Sequence, residues 1–160
     1  MKKKLNYNLI IGCVLIALVL LMAVVGLFYT PYPVNEMNGL IKNQPPSFAH
    51  LFGTDQFGRD IFSRVMEGAS TSFFIALCVV LVGAGVGTMT GAVTAYYGGW
   101  LDAVLMRIND VLAAFPSVLL AICFVAVIGP GTYNLIVALG IVFIPSFTRV
   151  VRSVFWYKKN

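Results

Sequence analysis

The chain has 160 residues, of which 59% are hydrophobic and 11% are charged, and its formal net charge is +5. A typical soluble domain is about 45–50% apolar and about 25% charged, so this composition excludes an ordinary soluble fold and favours a membrane protein. The basic residues cluster at 2–4 and 149–159, beside apolar segments. This placement is typical of cytoplasmic membrane flanks and not of a nucleic-acid-binding face.

The first predicted element is an apolar helix over residues 9–28, whose 20 residues match the length needed to cross a bilayer core of about 30 Å. The lysines before it also resemble the start of a signal peptide, but the apolar run is longer than usual and no small-x-small cleavage site follows. Phe28 and Tyr29, followed by prolines, indicate an aromatic interface and a chain break. We therefore assign residues 1–30 to a cytoplasmic N-terminus and an uncleaved first span.

A long polar stretch over residues 31–70 is assigned to an extracytoplasmic loop. Prolines prevent a continuous helix in its first part. Farther on, five apolar residues recur at helical spacing: Phe57, Ile61, Phe62, Val65 and Met66. This spacing predicts an amphipathic surface helix over residues 55–68, capped by Thr54 or Asp55.

Two acid-then-base pairs lie four residues apart in this predicted helix, Asp55 with Arg59 and Asp60 with Arg64. The acid precedes the base in each pair, which is the favourable order on a helix. Surface pairing along the helix is therefore a sufficient explanation of these charges.

Three further apolar segments follow within residues 71–152 and are predicted to be membrane spans: 72–96, 105–128 and 133–151. Gly83, Gly87 and Gly91 fall four residues apart on one face of the second span. Small residues at this spacing let another helix approach closely, so helix packing is favoured over a direct substrate role.

The third predicted span carries two charges near its start, Arg107 and Asp110, which are three residues apart and can pair on one helix face. Such charges form either a structural ion pair near the membrane interface or a contact that lines a translocation path. Pro116 is expected to kink this span.

The basic clusters decide the predicted topology. With the N-terminus in the cytoplasm, four spans return the C-terminus to the same side, and residues 153–160 form an interfacial cytoplasmic tail. The predicted fold class is therefore all-α, a polytopic membrane protein with four transmembrane helices and one amphipathic extracytoplasmic surface helix.

Sequence motifs for catalysis or cofactor binding are absent. The chain has no phosphate-binding G-x-x-x-x-G-K-[ST] loop and no H-E-x-x-H or G-x-S-x-G motif. A lone His50 and three cysteines inside apolar runs (Cys13, Cys78 and Cys123) indicate neither a metal site nor a disulfide framework. We expect no cofactor, and a membrane-embedded enzyme is a poor hypothesis because the spans offer only one pair of charged residues.

A series of spaced motifs resembles one family of transporters. Nine residues match its G-T-D-x-x-G-R-D-x-x-S-R-x-x-x-G signature: Gly53, Thr54, Asp55, Gly58, Arg59, Asp60, Ser63, Arg64 and Gly68. The Y-G-G-W-L-D run at 97–102, the M-R-x-x-D run at 106–110 and the F-P-S run at 115–117 follow in the same order. Over residues 50–152 the chain is similar to the second, C-type permeases of ABC importers for dipeptides, oligopeptides and nickel.

This resemblance implies a translocation subunit and not an enzyme. The family's permease pairs with a second permease, with two cytoplasmic ATPase subunits that supply ATP hydrolysis, and with an extracytoplasmic substrate-binding protein. The 53–68 motif would face outward, near the binding protein and the outer gate. Arg149 and Arg152 would lie on the approach to the ATPase contact.

The family's cytoplasmic coupling motif, of E-A-A-x-x-x-G type, is not found before Asn160, and neither are its later spans. We therefore expect the chain to be about the N-terminal half of a permease, as a truncated product, a fragment or one piece of a split subunit. The alternative hypothesis is a non-transporting membrane protein that associates with full-length permeases. The sequence leaves the choice between peptide and nickel substrates open.

Overall fold

The structure is a computed structural model that describes the backbone of residues 7–159 and the side-chain environment of residues 7–156. Five α-helices make up most of the described chain: α1 (Tyr7–Gly26), α2 (Ile61–Tyr97), α3 (Gly99–Ala114), α4 (Ser117–Ile128) and α5 (Thr132–Lys159). A 3₁₀ turn at Gly39–Ile41 lies in the segment between α1 and α2, residues 27–60, which we call the connecting loop. The all-α class predicted from the sequence is confirmed.

Within the part of the chain that the structure describes, three helices are long and apolar enough to cross a membrane, namely α1, α2 and the Thr132–Trp156 part of α5. The α3–α4 pair counts as a fourth span only if the two helices are taken together, because they are bent by 95° at the break between them. The expected kink at Pro116 is thus a full break. Phe115 adopts an extended conformation, as the residue before a proline prefers, and this ends α3.

The chain divides into two compact units, one up to Phe74 and one from Ile75 onward, with the division inside α2. In the first unit α1 meets the beginning of α2. The Ser70 hydroxyl donates to the carbonyl of Ala23 at 2.6 Å. A Cβ built on Gly26 would lie 2.6 Å from the Met66 carbonyl oxygen, so only glycine permits this approach.

The sequence predicted a separate surface helix over residues 55–68. This prediction is wrong, because the helix begins at Ile61 and is continuous with the next predicted span. Gly53 and Gly58 have φ angles of +73° and +75°, which interrupt any helix before residue 60. Asp60 accepts a hydrogen bond from the Ser63 backbone N–H at 2.7 Å and so occupies the capping position expected of Thr54 or Asp55. From Ile61 the helix runs without interruption for 37 residues, about 55 Å at 1.5 Å per residue.

In the second unit α5 packs against α3 and α4. The turn between α2 and α3 depends on Gly98 and Gly99, whose φ angles of +64° and +57° lie in the left-handed region. α4 is apolar after its first residue, Ser117, and most of its side chains are exposed in the isolated chain.

Candidate functional sites in the loop and between the helices

The Asp60 carboxylate is the centre of the connecting loop. It is 4% exposed, and its two oxygens accept hydrogen bonds from the His50 Nδ1 at 2.9 Å and from the Ser63 N–H at 2.7 Å. Burial acts to raise the pKa of Asp60, but the hydrogen bonds from Ser63 and His50 outweigh it and hold the pKa below its usual value. The predicted ion pair with Arg64 is not formed, because the carboxylate caps α2 and bonds to His50 instead.

The Asp55–Arg59 pair is formed, but in a turn and not on a helix. The guanidinium Nη2 lies 2.7 Å from the Asp55 carboxylate, and the Arg59 and Phe57 backbone N–H groups donate to the same side chain. Desolvation opposes ionisation, yet the hydrogen bonds from Arg59 and Phe57 lower the pKa of Asp55 to about 2. Arg64 lies 4.0 Å from this carboxylate and 39% of its side chain is exposed.

The other motif residues fix the fold of the loop. Ser63 has no exposed surface, and its hydroxyl accepts a hydrogen bond from the Tyr32 N–H at 3.0 Å. The Thr54 hydroxyl accepts from the Gln44 N–H and donates to the Ile41 carbonyl. A Cβ on Gly58 would collide with the backbone carbonyl of Asn38, whereas Gly68 has open space beside it. The signature is therefore mainly a set of buried structural contacts.

A half-open cleft of about 270 Å³ lies beside this network. Tyr32, Glu36, His50 and Asp60 line it, and the rings of Tyr32 and His50 stand 4.7 Å apart. Sequence reasoning missed His50 because its separation of ten positions from Asp60 matches no contact expected along one helix or strand. Among the described residues, no group of three or more His, Cys, Asp or Glu side chains could hold a metal ion.

The glycine face of α2 contacts α5. A Cβ on Gly87 would lie 2.6 Å from the Phe147 Cβ and 2.9 Å from the Ile144 carbonyl oxygen. On Gly91 it would lie 2.7 Å from the Thr148 carbonyl oxygen, and on Gly83 it would lie 3.1 Å from the Phe143 Cβ. We call this contact the α2–α5 seam. The hydroxyls of Thr90 and Thr148 add a hydrogen bond of 2.7 Å across it.

Two ion pairs join α3 to α5. The Nη2 of Arg152 lies 2.6 Å from the Oδ2 of Asp102, and the Nη2 of Arg149 lies 2.9 Å from the Oδ1 of Asp110. The predicted pairing of Asp110 with Arg107 is wrong, since Asp110 reaches across to the other helix. Arg107 is exposed and forms no ion pair within the described part of the chain.

Asn109 is the polar residue of α3 that sequence reasoning missed. It is 5% exposed, and its Nδ2 donates to the Leu105 carbonyl at 2.9 Å. Its Oδ1 has no hydrogen-bond partner among the described residues. A buried unsatisfied acceptor carries a desolvation cost, about 1–3 kcal/mol in typical proteins. No periodicity in the sequence distinguishes it from the exposed polar residues beside it.

Comparison with known proteins gives a family for most of the helical region. Residues 83–157 match the family model described as "Binding-protein-dependent transport system inner membrane component". The matched segment contains the α2–α5 seam and both ion pairs between α3 and α5.

Curated relatives extend the similarity toward the N-terminus. The chain is 41% identical over 150 residues to a dipeptide transport system permease protein of Alkalihalophilus pseudofirmus, covering 94% of this chain and 49% of the relative. It is 44% identical over 139 residues to a glutathione transport system permease protein of Escherichia coli, covering 86% and 46%. The glutathione transport system permease protein of Pectobacterium atrosepticum is 50% identical over 111 residues, covering 69% and 37%. The chain spans about half the length of the first two of these relatives.

Proposed function

We propose that this chain, which belongs to the family of binding-protein-dependent transport system inner membrane components, forms part of the translocation subunit of an ATP-driven importer of short peptides. One observation carries the proposal. The matched residues 83–157 cover the second part of α2 and nearly all of α3 to α5, which are the helices that pack together. The family similarity therefore falls on a folded membrane unit held by a tight seam and two ion pairs.

The substrate class follows from the relatives. Their names give dipeptide and glutathione transport, and we extend a short-peptide substrate to this chain. Nickel, the other substrate that the motif resemblance implies, is the alternative. Radiolabelled dipeptide and radioactive nickel offered to the same cells distinguish the two, because deletion of the gene should reduce uptake of only one of them.

The proposed topology places the N-terminus in the cytoplasm and the connecting loop outside. The positive flanks of the chain support this orientation. In a variant without the three native cysteines, a cysteine at exposed Lys42 should react with a membrane-impermeant maleimide in intact cells. A cysteine at exposed Ser153 should react only after the membrane is permeabilised. The reverse pattern of labelling would show that the connecting loop lies in the cytoplasm and that the proposed topology is wrong.

The proposed partners are a second permease, two cytoplasmic ATPases and an extracytoplasmic substrate-binding protein. The connecting loop would approach the binding protein, and the α5 end that carries Arg149 and Arg152 would approach the ATPases. This placement rests on the topology above and on the family of the chain.

The deciding experiment is purification of the tagged chain from its native membranes in mild detergent, with mass spectrometry of the bound proteins. Recovery of a second permease, ATPases and a binding protein supports the importer. Recovery of a full-length permease without any ATPase supports the alternative, a non-transporting protein that associates with permeases. Dipeptide uptake by the deletion strain, restored or not by the plasmid-borne chain, provides the functional readout.

A further inference from the structure

The connecting loop exposes an apolar face close to the end of α1. Its four members carry no charge: Tyr29, Phe48, Leu51 and Phe52. The Phe48 side chain is fully exposed, and half or more of each of the others is accessible. The loop around them is held by buried hydrogen bonds, so the exposure belongs to a folded surface. We call these four residues the aromatic face.

The depth of this face relative to the membrane can be read from the contact between α1 and α2. Ser70 bonds to Ala23, and Gly26 lies against Met66, so the last turn of α1 is level with Met66 on α2. The 20 residues of α1 span about 30 Å, the thickness of the hydrocarbon core. The edge of that core therefore lies near Met66.

Phe62 lies four residues before Met66 on α2, about 6 Å farther along the helix. The polar interfacial zone of a bilayer is roughly 5–8 Å thick on each side of the hydrocarbon core. Phe62 is therefore outside the hydrocarbon core, at the depth of the lipid glycerol and headgroups. Tyrosine and tryptophan are enriched at that depth because their amphipathic rings fit the boundary between lipid and water, and Tyr29 is the member of the face of this kind.

The aromatic face lies at the same depth as Phe62. The Phe52 ring meets the Phe62 ring edge-on, with centroids 5.1 Å apart. Tyr29, Phe48 and Leu51 line one shallow cleft of about 360 Å³ together with Phe62. Asp60 also lines this cleft, and each of its oxygens is hydrogen-bonded within the protein, so the cleft combines polar and apolar lining as the interfacial zone does.

We propose that the aromatic face is a lipid-binding surface that seats the connecting loop in the interfacial zone of the membrane, with the glycerol and headgroup region of phospholipids as its occupant. The lipid is favoured because the face continues the lipid-exposed surface of α1: Phe28 is 87% exposed and Tyr29 is 63% exposed, directly after the helix. Contiguous exposed apolar patches commonly mark surfaces that contact a membrane or another protein. The proposal depends on α1 crossing the membrane and not on any transported substrate.

Depth-dependent fluorescence quenching tests this placement. In a background where Trp100 and Trp156 are replaced by phenylalanine, Phe48→Trp supplies one tryptophan on the face, and Leu51→Trp is a second position in case the first variant does not fold. The purified chain is reconstituted in phosphatidylcholine vesicles, with lipids brominated either near the headgroup or near the chain end. We expect a blue-shifted emission that the shallow bromines quench more strongly than the deep ones.

Two matched variants calibrate the measurement. Leu15→Trp, in the middle of α1, should be quenched more strongly by the deep bromines. Met37→Trp, on the polar part of the same loop, should be quenched by aqueous acrylamide and not by either lipid. A Phe48→Trp emission that behaves like Met37→Trp would overturn the proposal. Protection of Phe48→Trp from both bromines and acrylamide, only when the partner subunits are present, would also overturn it, because a protein would then cover the face.

Discussion

Arg152 on α5 donates two hydrogen bonds to the Asp102 carboxylate on α3, from Nε at 2.7 Å and from Nη2 at 2.6 Å. The two residues are 50 positions apart in the chain. Planar two-point contacts of this kind are stronger and more directional than single ones. Asp110 and Arg149 make the neighbouring contact with one hydrogen bond, and about half of each side chain is exposed.

The first prediction compares these two ion pairs in double-mutant cycles. We expect the Asp102–Arg152 cycle, built from Asp102→Asn and Arg152→Gln, to give a coupling free energy in the range of about 0.5–3 kcal/mol that contacting residues show. The Asp110–Arg149 cycle should give about 0–1 kcal/mol, because its exposed charges are screened. Reversible unfolding of the detergent-solubilised chain measures both values. An equal coupling for the two pairs would contradict the geometry.

The second prediction concerns the α2–α5 seam. Gly87→Ala places a methyl group 2.6 Å from the Phe147 Cβ, so α5 must move away or the side chain must shift. Overpacking of this kind costs about 1–3 kcal/mol of unfolding free energy. Thermal unfolding in mild detergent should show the loss.

Gly85→Ala is the matched control on the same helix. A Cβ there meets no atom within 4 Å, so the substitution should be neutral or should stabilise α2 by up to about 1 kcal/mol through helix propensity. If Gly87→Ala and Gly85→Ala changed the unfolding free energy equally, close packing at Gly87 would not be the cause of the lost stability.

The third prediction concerns the connecting loop. Gly58→Ala forces a side chain into a left-handed backbone conformation and against the Asn38 carbonyl. Gly99 has a similar φ angle of +57° but open space around it. We therefore expect Gly58→Ala to cost more than Gly99→Ala, which carries only the backbone strain of about 1–2 kcal/mol. Limited proteolysis of the loop reports the first loss, and unfolding of the helical unit reports the second.

The fourth prediction is an acid transition of the connecting loop. The pKa values of Asp55 and Asp60 are lowered in the folded chain, so both carboxylates stabilise the loop above the unfolded value of 3.8. This contribution is lost as the pH falls from 3.8 toward about 2, the folded pKa of Asp55. Hydrogen exchange of the loop amides, corrected for intrinsic rates, should show protection decreasing across that window.

Asp55→Asn provides the test of the assignment. At neutral pH the variant loop should be less protected than wild type, and the difference should shrink as the pH approaches about 2. Glu36→Gln removes an exposed carboxylate that forms no ion pair within the described residues, so it should leave protection as in wild type at each pH. A constant difference between wild type and Asp55→Asn at all pH values would contradict the titration of this carboxylate.

Apolar length was the strongest signal in the sequence. It correctly predicted the all-α membrane class and the apolar spans that lie within α1, α2 and α5, because 20 apolar residues have few alternatives to a spanning helix. The family resemblance is also confirmed, since several motifs in fixed order carry more information than any one of them. The break at Pro116 was predicted only as a kink because a proline shows where a helix is weakened, but not how far its two parts bend.

Charge pairing was the weakest signal. Spacing of three or four residues suggested Arg107 with Asp110 and Asp60 with Arg64, yet both acids have other partners. Asp110 bonds to a residue 39 positions away, and Asp60 bonds to His50 and caps a helix. Local spacing shows which side chains can meet on one helix, but tertiary neighbours compete for the same carboxylate.

The backbone approach at Gly87 and Gly91 limits where a dissolved molecule could pass. The added Cβ atoms there would meet α5 at 2.6 and 2.7 Å, so the existing gap between the two helices cannot admit even one water molecule. The seam is therefore closed to water at Gly87 and Gly91. A water-filled path along α2 would therefore have to lie on a different face of this helix from Gly87 and Gly91.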